Sequence, residues 1–243
     1  MAIPPQAQLK PYRVVSNAEL ADGIIELILE PESDQVIDTF LPGQWVNVHL
    51  LNEDGSVWKK SAYSLANAPS EINDTLRIAL GVKVEGEFTQ RMRELKPGDH
   101  VQVQGPFGMF TLNRETPRLV GLAGGIGITP IRSMIREAIA SDLPMDIILF
   151  YSCKTREGAA YHDEFRHMAS ENERFTYVPV FTRDERPGAV VRRIDADMLD
   201  EYIRDYMIGE YCMCGPKGFM DAMAAILHAK GAEPKQIKYE RFN

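Results

Sequence analysis

The apolar positions along the chain follow two rhythms. Over residues 12–112 they come in short runs, at 12–15, 23–30, 44–50, 62–66, 75–82 and 99–104, rich in β-branched and aromatic residues or alternating with polar ones. Turn chemistry separates them: Leu41-Pro42-Gly43, Asp54-Gly55, Asn67-Ala68-Pro69 and Lys96-Pro97-Gly98-Asp99. Short strands at this spacing predict an antiparallel barrel or sandwich. One helix is expected in this half, opening near Gly86 and running through Arg91 to Leu95.

From Arg118 the rhythm alternates. The run RLVGLA leads through a glycine-rich turn into a helix at about 130–140. Strands at 145–151, 175–181 and 210–214 alternate with helices at about 160–169, 196–205 and 217–229, and a terminal strand follows at 236–239. Continuous apolar strands separated by helices predict an α/β doubly wound parallel sheet. The change falls in NRETPR at 113–118, so two domains are expected, a β-barrel over 1–115 and an α/β domain over 116–243.

Composition narrows the function classes. The 243 residues carry Lys+Arg 27 against Asp+Glu 35, a net charge of −8, which argues against a nucleic-acid or anionic-membrane binder. Three cysteines, Cys153, Cys212 and Cys214, offer neither a disulfide framework nor a four-thiolate cluster spacing. Cys212 and Cys214 share one face of a strand and read as small buried side chains rather than a metal pair. The longest apolar stretches, such as IILFY at 147–151, are far below a membrane span, and the start MAIPPQAQLK lacks a charged-then-apolar leader. A cytoplasmic protein with no membrane span is therefore expected. The five histidines show no ligand spacing, and His162 and His167 read as surface residues of a helix whose start, Asp163-Glu164, is solvated.

The segment GLAGGIGITPI at 121–131 places glycines between an apolar strand and a helix. Gly124 and Gly125-x-Gly127 let a backbone approach a bound group without a Cβ in the way, and Pro130 suits the first helical turn. A helix N-terminus there offers N–H donors and partial positive charge to a pyrophosphate. The third glycine of the usual dinucleotide fingerprint is missing. The next strand ends in Ser152-Cys153-Lys154-Thr155-Arg156 with no acid to hold a ribose hydroxyl, and the one after ends in Thr182-Arg183. Such cationic, hydroxyl-bearing strand ends favour NADPH over NADH, although Asp184-Glu185 dilute the second.

Four segments in order, SAYSLANAP at 61–69, GPFGMFTL at 105–112, AGGIGITPIRSM at 123–134 and CGPKGFM at 214–220, resemble the ferredoxin–NADP reductase superfamily, particularly the reductase modules serving bacterial oxygenases, here without an iron–sulfur domain. The resemblance covers essentially the whole chain. It implies a six-stranded flavin barrel followed by a nucleotide domain, with the reaction in the cleft between them. Within Ser61-Ala62-Tyr63-Ser64, it implies that Tyr63 lies flat on the flavin ring and that Ser64 places its hydroxyl beside N5. Leu80, Gly81 and Val82 would edge the ring with backbone groups. Gly86-Glu87-Phe88-Thr89 would open a helix against the flavin phosphates, with Thr89 as hydroxyl donor; the alternative is simply a capped helix. Thr129 and Pro130 would sit where flavin and nicotinamide meet. Cys214, in Cys214-Gly215-Pro216, would face the nicotinamide, and Phe219 and Met220 would pack there or line the site. The tail Glu240-Arg241-Phe242-Asn243 resembles reductases whose terminal acid and aromatic lie close to the flavin, with Phe242 covering the ring face; an edge strand that merely packs is the alternative.

One departure bears on the cofactor. The family pattern is Arg-x-Tyr-Ser, and position 61 is serine. An arginine–phosphate contact is therefore missing, and Lys59 or Lys60 lacks the bidentate fork that would replace it. FAD stays first, with FMN open. The expected chemistry is hydride transfer from NADPH onto FAD and release of electrons to a ferredoxin or oxygenase partner on a separate chain. Arg91, Arg93, Lys96, Arg192, Arg193, Lys235 and Lys238 form either a docking face for it or a scattered solvated set. The alternatives are a free-flavin or quinone reductase with loosely bound flavin, and a non-catalytic nucleotide-sensing or electron-relay subunit.

Overall fold

The computed structural model describes residues 8–32, 39–71, 76–184 and 191–241. They form two compact units, one of residues 1–112 with 132–141 and the other of 113–131 with 142–243.

The first unit is a six-stranded antiparallel sheet in the order β4-β3-β6-β1-β2-β5. Its strands are β1 (Lys10–Ala21), β2 (Ile24–Pro31), β3 (Trp45–Leu51), β4 (Val57–Ser64), β5 (Ile78–Lys83) and β6 (His100–Phe107). An antiparallel bridge from Leu65, just past β4, to Leu80 of β5 joins the two end strands, so the sheet curls into a barrel. Alternation places Tyr12, Val14, Val46, Val48, Leu50, Val101 and Val103 inside. Helix α1 (Glu87–Glu94) adds Met92 to the same core.

All six strand runs are present, but β4 starts at Val57, five residues before the expected run. The reason is physical: Val57, Lys59, Lys60 and Ala62 are exposed, so the segment carries no buried face for periodicity to report. Leu50 pairs with Lys59 and Leu51 with Val57, which leaves Trp58 as an extra, bulged residue.

The second unit is a parallel sheet in the order β11-β10-β7-β8-β9. Its strands are β7 (Arg118–Gly124), β8 (Asp146–Cys153), β9 (Phe175–Phe181), β10 (Glu210–Cys214) and β11 (Ile237–Glu240). Helices α2 (Ile128–Ala140), α3 (His162–Glu171), α4 (Ala196–Tyr202) and α5 (Lys217–Ala229) alternate with them. β7 is buried from Leu119 to Gly124, as a central strand covered on both faces must be. The first turn of α2, through Ile131, groups with this unit, whereas Arg132–Ser141 group with the barrel. The observed architecture is the expected one: antiparallel barrel first, doubly wound parallel sheet second.

His162 corrects the sequence reading. It is 8% exposed, and its Nδ1 is 2.8 Å from the Tyr177 hydroxyl. Tyr161, at φ 60°, precedes it at the helix start. The imidazole lies between Tyr177 and Phe181 of β9 rather than in water. Asp163, by contrast, is exposed as expected.

Candidate functional site

In the barrel, β4 delivers Ser61, Tyr63 and Ser64 in one stretch. Tyr63 is half-buried and stacks on Phe88 of α1, ring centroids 6.3 Å apart and planes 20° apart. Phe88 in turn stacks on the bulged Trp58 at 6.0 Å and 6°. Burial pushes the Tyr63 phenol up, partly offset by a hydrogen bond with the Ser61 side chain. Serine at 61 thus engages the tyrosine.

Ser64 is 3% exposed, and its Oγ makes no hydrogen bond among the described residues. Leaving a buried hydroxyl unsatisfied costs roughly 1–3 kcal/mol, so an acceptor from a ligand is the natural complement. Leu80, Gly81 and Val82 are buried in β5, and Ala62 is exposed.

α1 opens at Gly86, whose φ of 123° and lack of any neighbour within 4 Å of a built Cβ leave the approach clear. No side chain caps Gly86's end of the helix. Thr89 departs from its expected role: its Oγ1 accepts from the Glu85 N–H at 2.7 Å and donates to the Gly86 carbonyl at 3.1 Å. The hydroxyl proton is spent within the helix start. Lys59 is also committed, to Glu87 at 2.5 Å and over the Trp58 ring at 4.4 Å. Arg91 sits over the same ring at 4.6 Å. The orphaned Ser64 hydroxyl, the ring wall of Tyr63 and the open helix start fit a flavin, with a weaker phosphate end than an arginine at 61 would give.

In the second unit two strand-to-helix turns meet back to back. A Cβ on Gly127 would lie 2.2 Å from the Cys214 carbonyl oxygen and 2.7 Å from the Gly215 nitrogen. A Cβ on Gly124 would lie 3.0 Å from Pro216 and 3.1 Å from Phe219. Gly127 is demanded by the backbone of the facing turn, and Gly124 is hemmed in by the Pro216 and Phe219 side chains. Gly125 differs: its φ is 54° and nothing lies within 4 Å of its built Cβ, so it is the glycine that leaves room for a ligand. Thr129 is buried and donates to the Ile126 carbonyl at 3.1 Å; Pro130 is buried in the first turn of α2. Pro216 precedes α5 without a side-chain cap, and Met220 is 4% exposed.

Cys214 is fully buried, and burial pushes its thiol well up, so it is a neutral group at pH 7. In register with it across β10 and β11 is Glu240. Glu240 is half-buried, its Oε2 makes no hydrogen bond among the described residues, and burial pushes its carboxyl from an ordinary 4.5 up to about 7. Between those two values the folded chain holds a proton that the unfolded chain has released, so stability falls as pH rises from about 4.5 towards 7. Glu240→Gln is expected to flatten that part of the profile in denaturant titrations at pH 5 and pH 8. A profile identical to the unsubstituted protein's would refute the buried proton. Phe242, and Glu185 in the second strand-end loop, lie outside the described residues.

The cationic strand ends are joined. Thr182 N–H donates to the Cys153 carbonyl at 2.9 Å and Arg183 N–H to that of Lys154 at 2.8 Å. The Thr182 hydroxyl also donates to Cys153, at 3.2 Å. Ser152 is partly buried and Arg156 faces Asp163 at 3.4 Å. The single docking face does not form in this unit. Arg192 lies beside β9, where its N–H meets Phe181, whereas Lys238 is in β11 and Lys235 just before it. These are the two opposite edges of a five-stranded sheet, about 19 Å apart at the usual strand spacing. Each is also paired: Arg192 with Asp195 at 3.2 Å, Lys235 with Glu233 at 2.7 Å, and Lys238 with Glu210 at 2.8 Å.

Two families match, in the order the two units predict. Residues 11–112 match the oxidoreductase FAD-binding domain and residues 122–225 the oxidoreductase NAD-binding domain. The chain belongs to the ferredoxin–NADP reductase superfamily. It is thus a flavin- and NAD-binding reductase module of the oxidoreductase class. Among curated relatives it is 26% identical to a flavohemoprotein of Bacillus subtilis, over 97% of this chain and 59% of that one. It is 27% identical to a subunit of the Na(+)-translocating NADH-quinone reductase of Yersinia pestis, over 98% of this chain and 62% of that one. The chain spans about three fifths of the length of these relatives. The superfamily fold is shared with phthalate dioxygenase reductase, at a TM-score of 0.78 and 22% identity over 97% of this chain and 68% of that structure. Among the described residues no helix is long and apolar enough to cross a membrane.

Proposed function

We propose that this superfamily member takes hydride from NADPH onto FAD held by the barrel and passes the electrons to a ferredoxin or oxygenase on a separate chain. The observation that carries the reading is the buried, unsatisfied Ser64 hydroxyl beside half-buried Tyr63. Bound there, FAD supplies hydride acceptance and release of electrons one at a time. Tyr63 would then give the ring a flat wall, and Ser64 would donate its otherwise unsatisfied hydroxyl to the ring and help hold it in place. In the second unit, the open turn at Gly125 receives nucleotide phosphates against the N-terminus of α2. Glu240, pushed up to about 7, exchanges a proton near neutral pH next to the neutral Cys214 thiol.

NADPH is favoured over NADH because the joined strand ends carry Lys154, Arg156 and Arg183. The exposed Arg156–Asp163 pair is worth only about 0–1 kcal/mol, so Arg156 is readily redirected to a 2′-phosphate. Thr182→Ala with Arg183→Ala is expected to raise the NADPH KM roughly tenfold, on the scale of one lost charge-assisted hydrogen bond, and to leave the NADH KM nearly unchanged. Equal effects on both coenzymes would reject the 2′-phosphate assignment.

A second reading, a free-flavin or quinone reductase, is favoured by Ser61 and by the commitment of Lys59 to Glu87. Coupled assays separate the two. NADPH oxidation by protein that stays yellow through desalting, and that reduces a one-electron protein acceptor, supports the proposal. Colourless protein that consumes NADPH only with added FMN, FAD or quinone supports the alternative.

A further inference from the structure

The chain that leaves Ser64 is strapped down by side chains far away in sequence. Leu65 to Ala68 are buried, yet they lie outside regular structure apart from one bridge, so their backbone groups need individual partners. Leu65 N–H donates to Gln44 at 2.9 Å and Ala66 N–H to Ala79 at 2.8 Å. The Asn67 side chain clamps the segment to the approach of β5: its Oδ1 accepts from the Ala79 N–H at 2.9 Å, and its Nδ2 donates to the Arg77 carbonyl at 3.1 Å.

Helix α2 takes the two middle carbonyls of the segment. Arg132 donates from Nη1 to Ala66 at 2.8 Å, and Ser133 donates from Oγ to Asn67 at 2.7 Å. One turn on, Glu137 accepts from the Ser70 N–H at 3.1 Å. Arg132, Ser133 and Glu137 are all buried. No interaction among the described residues orients the Ser64 hydroxyl directly, so its aim is set by the backbone on either side. On one side that backbone is the pairing of Ser64 with Trp45; on the other it is this strap.

We infer that Asn67, Arg132 and Ser133 are positioning residues that hold the Ser64 hydroxyl at the flavin ring and act on the reaction through it. The inference rests on the flavin reading of Ser64. Serine at 133 suits the task because a short buried hydroxyl reaches a carbonyl one layer away and brings no charge. Arginine at 132 supplies the stronger, charge-assisted bond to the neighbouring carbonyl.

The test is a double-mutant cycle in flavin-loaded protein, with Ser64→Ala, Ser133→Ala and the double variant. Flavin affinity is read by fluorescence on adding FAD to the apoprotein, the flavin midpoint potential by dye equilibration, and reduction by NADPH in stopped flow. Ser133→Ala is expected to slow reduction about tenfold, within the range that small misplacements of reacting groups produce, with NADPH affinity unchanged. Its midpoint potential should move in the same direction as that of Ser64→Ala. The double variant should be no slower than Ser64→Ala alone, because the strap acts through a hydroxyl that is already gone. Multiplying effects, or a rate loss in Ser133→Ala with no movement of the potential, would overturn the inference. Arg132→Lys, which keeps a buried cationic donor, repeats the cycle if Ser133→Ala does not fold, under the same criteria. Failure of the unsubstituted protein to bind flavin would instead sink the reading of Ser64 itself.

Discussion

Ser64→Ala should leave flavin bound and slow its reduction by NADPH by roughly a hundredfold, the scale seen when one preorganised donor at a reacting atom is removed. The substitution deletes a single buried oxygen that makes no hydrogen bond among the described residues, so no such hydrogen bond is broken. The folded protein gains if anything, because an unsatisfied hydroxyl has gone. Unchanged melting together with a large rate loss is thus the signature of a group kept for chemistry. Equal rates in the two proteins, or loss of stability without loss of rate, would return Ser64 to an ordinary packing position. Tyr63 beside it stays in place through its stack on Phe88, so the ring wall is not altered by the change.

Gly127→Ala is expected to destabilise the second unit by about 3 kcal/mol or more and to abolish NADPH binding. The new Cβ would fall 2.2 Å from the Cys214 carbonyl oxygen and 2.4 Å from its carbon, and neither is a side chain that can swing away. The end of β10 would have to move off the turn after β7, carrying Gly215 and Pro216 with it. Gly125→Ala is the informative contrast. It meets open space, and its left-handed backbone at φ 54° costs an alanine only about 1–2 kcal/mol. That variant should fold while binding NADPH more weakly, since the methyl enters the space left for phosphate. Thermal melting and coenzyme titration of the two proteins check this; similar melting temperatures would mean that the turns do not meet as described.

What could be read from the residues and what could not divide along physical lines. Strands buried on both faces, such as β7 and β8, announce themselves as unbroken apolar runs, and the turn dipeptides between barrel strands mark their ends. β4 begins earlier than its pattern suggests because Trp58, Lys59 and Lys60 lie on an open segment with a bulge, where hydrophobic period carries no information. His162 reads as solvated because it opens a polar helix, but the left-handed Tyr161 sets it against the aromatic rings of β9. The glycines after β7 are legible as a tight strand-to-helix turn. That Gly127 serves the contact with Cys214 while Gly125 leaves the open space depends on a neighbour almost ninety positions away. Asn67 sat within a legible motif, but only as a turn residue, since its partner Ser133 is 66 positions distant. Thr89 and Lys59 are legible as candidates, but the Glu85 and Gly86 backbone claims the Thr89 hydroxyl and Glu87, 28 positions away, claims Lys59.

The most direct measurement is an anaerobic titration of the desalted, FAD-loaded protein with NADPH while its visible flavin absorbance is followed. The account predicts that the band survives desalting and bleaches with a single equivalent of NADPH per flavin. A protein that fails to hold FAD at saturating concentration, or whose band persists in excess NADPH and NADH alike, would contradict it.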